Sequence, residues 1–141
     1  MRLHIAIICA LIGSVALANG TVTYRDSMGR NQGSARTHGN STTFRDGQGR
    51  LQGTARTDSS GTQTTCRDAN GRLQGTSRTD SSGNTTFRDS MGRLQGTSRT
   101  DSSGRVTYRD AQGRLVGTAT TDSSGRVTYR DAQGRLQGSK K

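Results

Sequence analysis

The side chains best suited to chemistry in this 141-residue chain are its arginines. Arg56, Arg78 and Arg99 recur at one position of a repeated pattern, and Arg45, Arg67, Arg88, Arg109 and Arg130 recur at another. A guanidinium offers a planar fork of N–H donors that matches carboxylate and phosphate, so arginine in ladders points to anion binding. The materials of catalysis are scarce by comparison. The acidic side chains are all Asp, ten of them, with no Glu. After residue 18, His38 is the sole histidine and Cys66 the sole cysteine, and neither has an acid–base or metal-ligand companion near it in sequence. These residues predict a non-enzymatic protein with no cofactor and no metal site.

The elements that position the arginines are repeats. An aromatic slot recurs at Tyr24, Phe44, Cys66, Phe87, Tyr108 and Tyr129, at intervals of 20, 22, 21, 21 and 21 residues. A fixed period of this size marks a repeat architecture. Each unit carries two turn signals. One is Asp-x-x-Gly before Arg-Leu, as at Asp110 to Gly113; the other is Asp-Ser-Ser-Gly, as at Asp122 to Gly125. Asp caps such a turn with its own carboxylate, and Gly in fourth place accepts positive φ, which suits a type I turn closed by a Gly bulge. The segments between are rich in Thr, Val, Tyr and Phe and alternate with period two, the pattern of strands. No segment has the apolar spacing of a helix.

Register within the unit stays open at this level. Val106 and Tyr108 share one face of the outgoing strand; Leu115, Gly117 and Ala119 share one face of the return strand. A two-residue loop sets Tyr108 opposite Leu115 and makes the aromatic and the Leu a thin apolar seam. A three-residue bulged loop sets Arg109 opposite Leu115. The apolar pattern favours the first and the Gly position the second. The expected fold is all-β, with tandem hairpins of about 21 residues forming an antiparallel meander. A β-solenoid is the alternative, opposed by the repulsion of arginine stacked on arginine.

The chain's ends and composition set limits. Met1 to His4 is a short basic start, Ile5 to Ile12 an apolar run, and Ala16-Leu17-Ala18 a small-residue cleavage site. Residues 1–18 are therefore expected to be a signal peptide, leaving 19–141 as a single domain of six units with no transmembrane segment. In residues 19–141, Leu, Val, Ile and Phe number 11 of 123, about 9%, too few for an ordinary core. Either the chain is disordered, or a regular hydrogen-bonded repeat with shared neighbour contacts, helped by a partner, holds it. Loss of Arg2 leaves 18 Arg and 2 Lys against ten Asp, a net charge of +10. Cys66 replaces an aromatic and reads as a small apolar filler; in an oxidising compartment it could instead form an intermolecular disulfide.

At Tyr108-Arg109-Asp110-Ala111-Gln112-Gly113-Arg114-Leu115 the chain resembles the YD repeats of Rhs-type proteins, whose core is Tyr-Asp-x-x-Gly-Arg-Leu. The likeness runs through most of 21–138 and departs at one point: Arg, not Tyr, precedes Asp, and the aromatic sits one place earlier. That resemblance implies a β-structure, but six units are too few for the large shells those repeats build. The chain also resembles small exported bacterial proteins made only of Thr-x-Phe/Tyr-Arg-Asp-x-x-Gly-Arg repeats, which carries a fold and no function.

Together these features predict an exported protein of the periplasm or the extracellular space with a structural or adhesive role. Arginine-mediated binding of polyanions, whether envelope lipid, polysaccharide or DNA, is the alternative. Self-association into β-fibres is opposed by the positive charge. Calcium at the Asp-Ser-Ser-Gly turns is opposed by the missing acidic cluster, and ice binding by the arginines among the threonines.

Overall fold

The computed structural model describes residues 19–141; the expected signal peptide, 1–18, lies outside the described residues. Twelve strands follow one another: β1 (Gly20–Asp26), β2 (Asn31–His38), β3 (Ser41–Asp46), β4 (Leu51–Thr57), β5 (Gln63–Asp68), β6 (Leu73–Thr79), β7 (Asn84–Asp89), β8 (Leu94–Thr100), β9 (Val106–Asp110), β10 (Leu115–Thr121), β11 (Val127–Asp131) and β12 (Leu136–Lys140). Each pairs antiparallel with its chain neighbours, and β1 pairs with β12, so the meander closes into a barrel.

The turns form as their chemistry dictates. Asp110 N–H donates to the Arg114 carbonyl at 2.9 Å and Gly113 N–H to the Asp110 carbonyl at 3.0 Å. The Asp110 carboxylate accepts the N–H groups of Gln112 and Arg114 at 3.0 and 2.9 Å, and Gly113 takes φ 81°. This is the three-residue bulged loop. The Asp122 turn repeats it, with Ser124 and Arg126 N–H on the carboxylate and Gly125 at φ 79°. Arg109 therefore stands opposite Leu115. A second irregularity then follows: between Leu115 and Gly117 the register slips by one, so Gly117 faces Tyr108 and Ala119 faces Val106. Val116, the extra residue, turns outward and is exposed.

That slip corrects the expected seam. Leu115 lies outside it, as do Leu51, Leu73, Leu94 and Leu136, all about two-fifths exposed. The aromatics pack instead between a Gly on one neighbouring strand and a small residue on the other: Phe44 lies between Gly53 and Ala35, and Phe87 between Gly96 and Ser77. The Gly signal for the bulged loop holds, whereas the apolar signal that set Tyr108 opposite Leu115 does not: the bulge between Leu115 and Gly117 puts Gly117 opposite Tyr108 instead.

The open meander sheet and the solenoid are both replaced by closure, for a reason found in the registers. Thr97 on β8 stands opposite Thr86 on β7, and Thr86 opposite Arg78 on β6. The repeat equivalent of Thr97 on β6 is Thr76, so each hairpin is displaced by two residues from the next. Strands staggered in this way tilt across the barrel axis, and a regular stagger brings the last hairpin round to the first. The closing pairs Tyr24–Lys140, Arg25–Ser139 and Asp26–Gly138 copy the internal pairs Phe44–Ala35, Arg45–Ser34 and Asp46–Gly33.

The inner face carries the six aromatic-slot residues, a ring of glycines and small residues, and a band of threonines. Hydroxyls pair across strands within this band: Thr37 with Thr42 and Thr57 with Thr64 at 2.9 Å, and Thr79 with Thr85 at 2.8 Å. Where Val106 or Val127 replaces the Thr, the aromatic of that strand is Tyr108 or Tyr129 rather than Phe or Cys. Cys66 is buried on this inner face.

Two kinds of glycine fix the barrel. Gly113 needs its left-handed backbone but has open space around it, whereas a Cβ on Gly75 would lie 2.3 Å from the Arg88 carbonyl oxygen. Replacing Gly113 by Ala should cost about 1 kcal/mol. Gly75→Ala must push two backbones apart and should cost about 2 kcal/mol or more. Thermal unfolding of both variants checks the ranking; a Gly75→Ala barrel as stable as Gly113→Ala would contradict the close strand approach.

Candidate functional site: an arginine-bearing outer wall

Alternation places every second residue of each strand outside. The outward residues are Thr or Ser, partly buried, and Arg, exposed: Thr43 and Arg45 on β3, Thr54 and Arg56 on β4, and so on round the barrel. The ten Asp residues sit elsewhere. Asp26, Asp46, Asp68, Asp89, Asp110 and Asp131 end their strands at one rim, and Asp58, Asp80, Asp101 and Asp122 occupy the turns at the other. The wall between the rims therefore carries positive charge and no carboxylate.

Most of the arginines fall into three groups by what holds them. Those inside the first rim's turns pair with the capping Asp: Arg114 Nε donates to Asp110 Oδ2 at 2.7 Å, and Arg30, Arg50, Arg93 and Arg135 make the same bond at 2.8 Å. These pairs are exposed and serve the turn. The second group ends the odd strands. Arg45, Arg67, Arg88, Arg109 and Arg130 each donate Nη1 to a turn carbonyl, that of Gly49, Gly71, Gly92, Gly113 and Gly134, at 2.8–2.9 Å. One bond aims the guanidinium and leaves its other N–H groups facing solvent. The third group, Arg56, Arg78 and Arg99 on the even strands, is exposed and its guanidinium groups make no hydrogen bond or ion pair with the described residues.

The barrel brings the second and third groups together in pairs. Arg56 faces Thr65, and Arg67 lies two residues further along β5. Arg78 stands in the same diagonal relation to Arg88, and Arg99 to Arg109. Diagonal neighbours of this kind lie about 7–8 Å apart, within reach of two long side chains on one anion. Successive pairs are two strands on, roughly 10 Å round the wall. A fourth pair, Arg36 with Arg45, completes the band. Arg36 was not among the sequence candidates; its signal is Ala35-Arg36-Thr37, which matches Ala55-Arg56-Thr57 but is followed by the shortened loop at His38. Arg130 falls outside the band, because its diagonal neighbour on β10 is Thr120. The band thus spans β2 to β9 and leaves the seam side of the barrel with fewer charges.

Other side chains singled out in sequence take structural places. Asp110 and Asp122 are capping groups, with their oxygens engaged by turn donors. His38 ends β2, exposed. Among the described residues no group of His, Cys and acidic side chains could hold a metal ion, and no helix is long and apolar enough to cross a membrane. Strands of this barrel would carry arginine into hydrocarbon if they spanned a bilayer, at several kcal/mol each near its centre, roughly 2–4 by measured scales.

No protein-family model and no curated protein matches the chain. Among solved structures, it is similar to an alternansucrase in complex with isomaltononaose, at 22% identity over 88% of this chain and 13% of that one, with a TM-score of 0.21. The chain thus spans about an eighth of that protein's length, and a score so low carries no argument about fold or role.

The carboxylates of the turns make stability depend on pH. The Ser103 hydroxyl above all, against some burial and helped by the Arg105 and Ser103 N–H groups, holds Asp101 below the ordinary carboxyl range. Ser124 and the Arg126 N–H do the same for Asp122. At Asp110 burial is the largest single influence and opposes ionisation, but the Arg114 N–H and guanidinium and the Gln112 N–H together outweigh it. A depressed folded value means stability that is complete above the unfolded value, about 4, and lost as pH falls through the folded one. The melting temperature should therefore hold from neutral to about pH 4 and drop below it. A variant with Asn at Asp58, Asp80, Asp101 and Asp122 should show a shallower drop; an equal drop would place the acid sensitivity elsewhere.

Proposed function

We propose that this chain is an exported, non-enzymatic β-barrel that adheres to acidic polymers through its outer wall. The observation that carries this reading is charge segregation: arginines in diagonal pairs on a wall whose carboxylates have all been drawn to the rims. Arginine unpaired and exposed would serve solubility on any protein, and on an open sheet it would also guard an edge. A closed barrel has no edge to guard, so that second use falls away, and solubility alone does not call for arginines set in diagonal pairs on adjacent strands. Closure also removes the open strands from which β-fibres grow, which weakens the self-associating reading. A structural or adhesive role at the envelope is then exercised through polyanions. Cys66 is buried on the inner face and is not a free thiol, so it lends no support to an intermolecular bridge.

The wall offers hydroxyls and guanidiniums but no exposed aromatic ring, so it has no platform on which bases could stack. Binding should be to charge and therefore insensitive to base sequence. Each arginine that contacts a polymer phosphate adds about 0.7–0.9 to the slope of log affinity against log salt. The test is retention of the folded protein on heparin and on single-stranded DNA. Wild type should bind at low salt and be released by moderate salt. The triple variant Arg56→Gln, Arg78→Gln, Arg99→Gln should keep its melting temperature and lose about two units of salt slope. Unchanged retention in that variant, or no retention of wild type, would remove the wall from the function.

A further inference from the structure

The inner face departs from its own repeat at one position. Ala35, Ala55, Ser77, Ser98 and Ala119 occupy equivalent inward sites opposite the aromatic-slot residue of the following strand, which is Cys66 for Ala55. The sixth equivalent, at the closing seam, is Lys140, set directly opposite Tyr24. Lys140 is 4% exposed and Tyr24 8%, yet among the described residues neither the ammonium nor the phenol has a hydrogen-bond partner. A buried ammonium with no counter-charge is expensive, and native proteins rarely leave such groups unanswered. Where five units use a side chain of one or two heavy atoms, the chain here spends an ammonium.

The surroundings are polar in the same arc. Tyr24, Tyr108 and Tyr129 are all the tyrosines of the chain, and all three belong to the run β9 to β12 and β1 that contains the seam. Burial, then the nearby Tyr108 and Tyr24 phenols, pushes the Tyr129 phenol well above its ordinary value, and burial pushes Tyr24 up to about 12. These phenols are therefore neutral donors at physiological pH. Tyr108 and Tyr129 pack against an apolar cluster of Val106, Ala119 and Val127, while Tyr24 packs in the neighbouring cluster with Ala35 and Phe44.

We infer that the seam is an anion site inside the barrel, in which Lys140 Nζ and the Tyr24 hydroxyl hold a carboxylate. One positive charge among neutral donors matches one negative charge. A carboxylate carries that single charge at neutral pH, whereas inorganic phosphate carries more and would leave part of it unanswered. Buried charge-assisted bonds of this kind are short and strong. The site is independent of the outer wall, since it uses none of the wall's arginines and faces the other side of the sheet.

A free carboxylate and the headgroup of an amphiphile share this chemistry, and two probes separate them. Acetate and decanoate are titrated into the full chain while the melting temperature and the NMR shift of the Lys140 side-chain terminus are followed. Binding raises the melting temperature with ligand concentration and moves the Lys140 signal. A response to both probes identifies a free-carboxylate site; a response to decanoate alone identifies a headgroup site. Lys140→Met, which keeps the volume and removes the charge, should weaken binding at least about tenfold, the size of one lost charged hydrogen bond. Tyr24→Phe should weaken it less and leave the fold intact. The wall variant lacking Arg56, Arg78 and Arg99 should bind the probe as wild type does. Equal binding by wild type and Lys140→Met, or no response to either probe, overturns the inference.

Discussion

The barrel depends on one close approach repeated six times. A glycine on each even strand lies under the carbonyl of an arginine on the next odd strand, so close that a Cβ there would come within 2.3 Å of the oxygen. Gly33 meets Arg45 in this way, Gly53 meets Arg67, Gly75 meets Arg88, Gly96 meets Arg109 and Gly117 meets Arg130. The sixth, Gly138, meets Arg25 and so joins the last strand to the first. The contact that joins neighbouring hairpins is thus the same contact that closes the ring. This explains how a chain with so few large apolar residues holds a fold. Each hairpin is secured by its neighbours on both sides, and no strand is left with unpaired backbone groups along an edge.

The turns and strands were legible in the residues because their causes are local. Asp110 and Gly113 sit three apart, and the carboxylate cap and the left-handed backbone act within that distance. The barrel was not legible, because its cause is a sum. A displacement of two residues per hairpin is set by the slip at Leu115 and Gly117, and nothing in a single unit says that six such displacements meet. The same slip explains the misplaced leucines. Alternation counted through Leu115, Gly117 and Ala119 puts all three on one face, but the extra residue at Val116 resets the count, and only Gly117 and Ala119 point inward. A bulge breaks period-two reasoning at the place where that reasoning is most needed.

The candidate site was legible in part for a related reason. Seven of the eight arginines singled out by position fall in the band of diagonal pairs, since repeat position fixes the strand and the face. What sequence could not supply was the pairing. Arg130 has the right position and lacks its neighbour, because Thr120 stands where earlier units have Arg99 or Arg78. Arg36 has the neighbour and went unnoticed, because the loop after it is short and breaks the period. Membership of the band is a property of two adjacent strands, and a ladder read down one column of the repeat misses it.

Repetition also gives the exceptions their meaning. In a chain where every unit must satisfy the same neighbour contact, a residue that breaks the pattern without serving that contact stands out from drift. Thr120 breaks the arginine ladder on the outside, and Lys140 breaks the run of small residues on the inside, both on the seam side of the barrel. The two changes run in opposite electrostatic directions: the wall loses a charge near the seam while the interior gains one. An ammonium facing inward from a thinly charged part of the wall is less opposed by other cations than it would be beneath the Arg78 and Arg88 pair. The barrel therefore has two separate electrostatic faces, an outer arginine band from β2 to β9 and an inward Lys140 at the seam, and the sheet's period-two alternation is what keeps them apart.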